Sequence, residues 1–350
     1  MLLLNWKKKS FGLDISESVF RVIQLKKSGS KIKLISYNSL PVPKDIFLDG
    51  KIVKIDQAVN LVKKLIREAK GRKISTKFVT ACLAENKTFI KLINLELSPH
   101  EDALKQIIEE SKKHIPYPLE DVYLDWQKAN TPEHILIGAC PKDIVENCQD
   151  MLAKAGLIPL ALEIEAVAIV RSLFRNKQKV ENPVMIIDLG ANRTGLIVYL
   201  NNTIPFTLSL NFSGDYLTKK IAEKLKITLT EAEQAKRICG LDKNKADGVI
   251  FEILKPEFEI LSQRIREAKY FYHEHFHGFN DINELLLTGG GSQIPHLKEY
   301  LAEQSNLEVE HGDPTVNIWQ HTLILPKNEI YSFATAIGLA LRNFFTPDRL

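Results

Sequence analysis

The sequence predicts an α/β protein of two similar domains, with a smaller α/β block inserted into the first. Two observations carry this. An apolar strand that ends at an aspartate, turns and returns as a second strand occurs twice, beginning near Phe11 and near Pro183. Between the two copies, residues 89–157 hold a separate alternation of strands and helices that the second copy lacks.

In the first copy, Phe11-Gly12-Leu13-Asp14 is the strand, Ile15 to Ser18 the turn and Val19 to Leu25 the return. Ser28-Gly29 tolerates positive φ and leads to a third strand over 31–39. After Pro41-Val42-Pro43 the apolar residues switch to helical spacing. Ala58, Leu61, Val62, Leu65, Ile66 and Ala69 define a helix at 57–70, with Asp56 as its cap and Gly71 as its stop. Phe78 to Leu83 is again a strand, giving βββαβ.

In the inserted block, 88–95 is a strand. Ser98-Pro99-His100-Glu101 is a capping box for a helix that breaks at Ile115-Pro116-Tyr117-Pro118. Strands at 122–129 and 134–139 turn at Thr131-Pro132, and a helix at 142–155 ends at Gly156. Leu160 to Glu163 returns to a strand, and Glu165 opens a helix of small residues.

The second copy runs from Pro183 through Asp188 and Gly190 to Leu200. Asn201-Asn202 stands where Ser28-Gly29 stood, and a third strand is expected at 203–210. Helices follow at 214–226, 230–239 and 256–276. A strand at 284–288 runs into Gly289-Gly290-Gly291-Ser292, then come a helix at 295–304, a short strand at 308–309 and a last helix at 330–344.

Composition is that of a globular protein, with 45% apolar and 26% charged residues over 350. A formal charge of +4 is too small to argue for nucleic acid. No segment approaches the ~18 apolar residues of a membrane span. Met1 to Lys9 is no secretory signal, and reads as a frayed tail before it reads as a membrane-surface segment. Cys82, Cys140, Cys148 and Cys239 form no CxxC and read as reduced thiols.

The chemistry these elements offer is anion binding. Gly190 and Gly195 allow a tight turn whose amides can wrap a phosphate, with an aspartate placed to hold a hydrated metal. Three glycines between a strand and a helix let a flat ligand approach the backbone. Glu233 and Lys236 share a helix face and could grip sugar hydroxyls, while Thr230 and Glu233 equally make a capping box. His273 and His277 have helical spacing but no further ligand, so a metal site is not expected there.

With these pieces assembled, the chain resembles the actin-like ATPase superfamily. Asp14 to Ser18 is similar to its first phosphate loop and Asp188 to Thr194 to its second. Thr288 to Pro295 is similar to its adenosine loop. Glu165 to Ala168 and Ala334 to Ala340 are similar to its two connecting helices. Within it, His114 to Trp126 and Ala139 to Asp143 resemble the PilM family of type IV pilus assembly.

The resemblance implies two actin-like (RNase H-like) domains around a nucleotide cleft, with an FtsA-like subdomain inserted in the first. The first domain would comprise 1–88, 158–182 and 326–350, the insertion 89–157, and the second domain 183–325 with a helical subdomain at about 213–284. It implies ATP and Mg²⁺ as ligands. Ser16, Glu17, Ser18, Gly190, Ala191, Asn192, Arg193 and Thr194 would face the phosphates. Glu233 and Lys236 would face the ribose, and Gly289, Gly290, Gly291, Ser292 and Ile294 the adenosine. Asp14 and Asp188 would hold the metal through water, and with Glu165 form whatever catalytic set exists, at most that of a slow ATPase. Ser16 and Glu17 stand where the family has glycine and a small residue. A carboxylate there repels phosphate unless it points away or meets the metal.

The implied partners are the cytoplasmic N-terminal segment of PilN and other inner-membrane platform proteins, with no nucleic acid. The protein would be cytoplasmic and peripheral at the inner membrane. The rival readings are an FtsA-like filament protein and a small-molecule kinase or ATPase of the same superfamily.

Overall fold

The computed structural model describes residues 9–83, 85–95, 102–129, 134–276, 280–319 and 323–345. In chain order the first elements are β1 (Phe11–Ile15), β2 (Val19–Ser28), β3 (Lys31–Pro41), β4 (Phe47–Leu48), β5 (Lys51–Ile52), α1 (Ile55–Arg67), β6 (Lys70–Gly71) and β7 (Phe78–Leu83). The inserted region supplies β8 (Phe89–Asn94), α2 (Ala103–Ser111), β9 (Val122–Lys128), β10 (His134–Pro141) and α3 (Lys142–Lys154). Then follow β11 (Ile158–Ile164), α4 (Glu165–Leu173), β12 (Val184–Leu189), β13 (Thr194–Tyr199), β14 (Thr207–Leu210), α5 (Gly214–Leu225), α6 (Leu229–Cys239) and α7 (Val249–His275). The last are β15 (Glu284–Thr288), α8 (Leu297–Ser305), β16 (Glu308–His311) and α9 (Ala334–Leu341).

The chain divides into two compact units. Unit 1 comprises 1–178, 202–207 and 314–350, and unit 2 comprises 179–201 and 208–313. Unit 1 is built on a six-stranded sheet of order β11-β7-β1-β2-β3-β6. β1, β2 and β3 are an antiparallel meander, while β7 joins β1 and β11 joins β7 in parallel. Every residue of β1 is buried, as a central strand covered on both faces requires. One face carries α1 and α3, whose Val62, Leu65, Met151 and Leu152 join Leu13, Phe20 and Val79 in one core. The other carries α9, whose Phe333-proximal turn packs with Ile23 and Leu34.

α9 is buried over its whole length, which no amphipathic helix is. Its Gly338 explains how: a Cβ built there would stand 1.7 Å from the Ala168 carbonyl oxygen of α4. The two helices therefore meet backbone to backbone.

A separate three-stranded sheet has the order β8-β10-β9. Its core gathers Ile93, Ile107, Ile115, Val122, Ile135 and Ile137. The helix α3 sends its apolar side chains into the core of the six-stranded sheet instead. Unit 2 holds a five-stranded sheet of order β14-β13-β12-β15-β16, with β12 and β13 antiparallel and β15 and β16 running parallel to β12.

Several local expectations need correction. Asp56 lies in the first turn of α1 and does not cap it; the cap position is Lys54, without a side-chain bond. The capping box of α6 is Thr228 with Glu231, not Thr230 with Glu233. The strand expected at 203–210 is the shorter β14. α7 begins at Val249 and contains Pro256 in its interior, where the sequence placed the start. The Ser98–Glu101 box, the Thr131-Pro132 turn and His277 lie outside the described residues. The cap of α2 is Asp102, which accepts from the Leu104 amide at 2.9 Å.

Candidate nucleotide site

In unit 2 the antiparallel pair β12–β13 carries Asp188 opposite Gly195, next to a closed turn. The Gly190 amide donates to the Arg193 carbonyl at 2.9 Å, and a Cβ at Gly190 would press on that oxygen at 2.8 Å. The Gly190 and Ala191 carbonyls accept from the Gly214 and Asp215 amides at the start of α5, both at 2.9 Å. With its carbonyls drawn toward α5, the turn can offer amides on its other side to an anion. Ser213 caps α5 by accepting from the Tyr216 amide.

The side chains of this loop are largely used internally. Thr194 is fully buried, and its hydroxyl donates to the Phe212 carbonyl at 2.7 Å. Arg193 donates to Ser209 at 2.8 Å. Contact with a phosphate here would therefore rest on backbone groups.

The glycine loop follows β15, the parallel neighbour of β12, so Asp188 and Thr288 are in register. Gly289 has φ +81°, and a Cβ on it would lie 2.5 Å from the Asp188 carboxylate. A Cβ on Gly291 would lie 1.9 Å from the Leu189 side chain. Only glycine lets the loop lie this close to the end of β12. Ser292, buried, closes the turn by donating to the Gly289 carbonyl at 2.7 Å.

Glu233 and Lys236 do meet, at 2.6 Å. Lys236 is nevertheless buried, and its ammonium also donates to the Gly214 carbonyl and the Thr218 hydroxyl, each at 2.8 Å. Thr218 in turn donates to Glu233 at 2.6 Å. Lys236 thus ties α6 to the start of α5, a role its sequence position gave no sign of. Glu233 stays half exposed, its oxygens shared among Thr218, Lys236 and Arg237.

In unit 1 the corresponding turn differs. Ser16 closes it with its own side chain, donating to the Val19 carbonyl at 2.7 Å and accepting from the Val19 amide at 3.2 Å. Glu17 accepts from the Gly50 amide at 2.9 Å, so its carboxylate is held by the β4–β5 hairpin. Asp14 is buried, and the residue opposite it on β2 is Arg21. The guanidinium meets its Oδ2 at 3.2 Å, and the Cys82 thiol donates to its Oδ1 at 3.5 Å. Burial pushes the Asp14 carboxyl up, against the pull of Arg21 and the thiol's hydrogen bond. Burial, then the charges of Asp14 and Glu165, push the Cys82 thiol well above its ordinary value. Glu165 accepts from the Thr335 hydroxyl at 2.9 Å, which links the starts of α4 and α9.

Each Asp14 oxygen already takes one partner, Arg21 or the Cys82 thiol. Among the described residues no group of three or more His, Cys, Asp and Glu side chains is arranged to hold a metal ion. Asp188 is the acid beside the glycine loop.

Two units with a meander and an acid-ended first strand, a closed glycine turn and a strand–triglycine loop define an actin-like ATPase fold. The model of the type IV pilus assembly protein PilM family matches residues 12–344. The chain belongs to that family. Among solved structures it is similar to the PilM-PilN type IV pilus biogenesis complex, with TM-score 0.81 and 23% identity over 96% of this chain and 99% of that one. It shares the fold of MreB5 of Spiroplasma citri bound to ADP, with TM-score 0.55 and 12% identity over 95% of each chain. A curated relative is the cell division protein FtsA of Streptococcus pneumoniae, 26% identical over 262 residues. That match takes in 65% of this chain and spans little more than half, 55%, of the FtsA protein.

Proposed function

We propose that this protein is an adaptor of type IV pilus assembly that takes the cytoplasmic N-terminal segment of a PilN-type membrane protein and binds ATP. The observation that carries the partner reading is the edge strand β9. Among the described strands it pairs on one side only, with β10. Its Leu124 and Trp126 pack on the sheet's own core, while Tyr123 is 48% exposed. An extended peptide can add to such an edge by main-chain bonds and place alternate side chains against it. The other edge, β8, is partly covered: the Leu92 amide donates to the Pro205 carbonyl at 3.0 Å. Family membership and the likeness to a PilM-PilN complex favour PilN as the peptide's source. Attachment at the inner face of the membrane follows from that partner; among the described residues no helix is long and apolar enough to cross a membrane.

The test is titration of a synthetic PilN N-terminal peptide into the full chain. Tyr123→Asp should weaken binding at least tenfold, about 1.4 kcal/mol. Unchanged affinity removes β9 from the interface.

ATP would rest its phosphates on the Gly190–Thr194 turn and its adenosine on the Gly289–Ile294 loop, with Glu233 toward the ribose. Mg²⁺, which neutralises phosphate charge, would be met by Asp188. With Asp14 matched by Arg21 and Glu17 by Gly50, binding is favoured over efficient turnover. Asp188→Ala should weaken ATP binding at least tenfold, about 1.4 kcal/mol by calorimetry. Equal affinity in the variant would sink the nucleotide assignment.

A further inference from the structure

The charges of unit 1 are unevenly placed. No carboxylate occurs before Asp14, between Glu17 and Asp45, or between Glu68 and Glu85. Those three stretches meet at one end of the six-stranded sheet. The Thr76 hydroxyl donates to the Lys9 carbonyl at 2.9 Å, and the Arg72 amide to Ile35 of β3 at 2.9 Å. Beyond the start of β1 the β2–β3 hairpin projects with Lys26, Lys27 and Lys31 exposed. Lys26 stands directly opposite Lys33, a like-charge cross-strand pair that costs stability unless an anion relieves it. Among the described residues no carboxylate lies within ion-pair distance of these four lysines. Arg72, Lys73 and Lys77 extend the basic surface along the neighbouring segment.

The surface is amphipathic as well as basic. The Trp319 ring lies beneath the hairpin, with the Lys31 ammonium 3.9 Å and the Lys33 ammonium 4.5 Å from its centre. The sequence that leads into this end at Lys9 is Leu2-Leu3-Leu4-Asn5-Trp6-Lys7-Lys8. Aromatic and apolar groups mixed with lysines match a bilayer interface, where indoles sit at headgroup level and ammonium groups meet phosphates. A nucleic acid offers no place for three leucines, and the whole chain's charge of +4 is small for one.

We propose that this end of the sheet docks directly on a bilayer rich in anionic phospholipid. The contact is separate from the β9 edge and adds a second attachment to the one a membrane partner provides. Two weak attachments that act together hold a protein at a surface far better than either alone.

The experiment is co-sedimentation of the full chain with vesicles of phosphatidylcholine alone or with about a third phosphatidylglycerol, at low and at physiological salt. Binding is expected only to the anionic vesicles and falls as salt rises. The variant Lys26→Gln, Lys27→Gln, Lys31→Gln, Lys33→Gln should partition about a hundredfold less, at about fivefold or less per lysine. Its melting temperature should match or exceed that of the parent chain, which shows it folded. Deleting Leu2 to Lys8 should weaken binding further and leave the salt dependence in place. Equal binding to neutral vesicles, a quadruple variant that binds like the parent, or tighter capture by duplex DNA than by anionic vesicles would each overturn the proposal.

Discussion

Two buried carboxylates of unit 1 show how partners decide a charge. Glu163, on β11, takes a two-pronged contact from Arg171 at 2.7 and 3.0 Å and a further bond from Arg342. Burial alone would push its carboxyl up; the two guanidiniums outweigh this and hold it below the usual carboxylate range. Its folded-state pKa is thus depressed. The stability it contributes is present above about pH 4.5, the ordinary glutamate value, and is lost as pH falls through the depressed one. Glu163→Gln should cost about 3 kcal/mol at neutral pH, because two guanidiniums lose their charge partner. Urea unfolding at a series of pH values checks this: the variant's stability should fall less steeply below pH 4.5 than the parent's. Asp14 was legible as a special acid, since a strand-ending aspartate before a turn is a local pattern. Its partner Arg21 was not, because only the antiparallel register brings a residue seven positions away directly opposite. The same holds for Lys236, whose neighbour on its own helix is visible in the sequence and whose bond to Gly214 is not.

At the scale of elements, apolar period located most helices and strands, and it failed where two local signals competed. Thr228 and Thr230 each precede a glutamate by three residues, so the capping pattern alone could not choose between them. The structure uses Thr228, which releases Glu233 to Thr218, Lys236 and Arg237. The helix expected at 256–276 began at Pro256, a residue whose missing amide suits a first turn. It sits instead inside α7, where the turn beginning at Val249 precedes it and Phe251 and Leu254 are buried. The closeness of α4 and α9 was legible only as two runs of small residues. The consequence is testable at Gly338. A methyl group there would overlap the Ala168 carbonyl, so Gly338→Ala must part the two helices. A loss of about 3 kcal/mol is expected by chemical denaturation. The Gly156→Ala change, where a Cβ has open space but φ is +79°, serves as a control for a purely conformational cost of about 1 kcal/mol.

At the scale of the molecule, the doubled meander was the most legible feature, because strand, acid, turn and return are all adjacent in sequence. Which chain segments complete each unit was far less so. Unit 1 closes with residues 314–350, after the chain has left it to build unit 2. α9 packs against β1, β2 and α4, with every residue from Ala334 to Leu341 buried there, and so fills a slot between them. During synthesis the chain emerges from its amino end, so the six-stranded sheet is made while that slot still lies open, with Ile23, Leu34 and Tyr37 bare on its wall. Unit 2, whose residues 179–313 form one nearly continuous stretch, can finish folding on the ribosome. Unit 1 has to wait until residues 314–350 have also emerged. A nascent protein of this design is most exposed to chaperones and proteases in the interval between the two events.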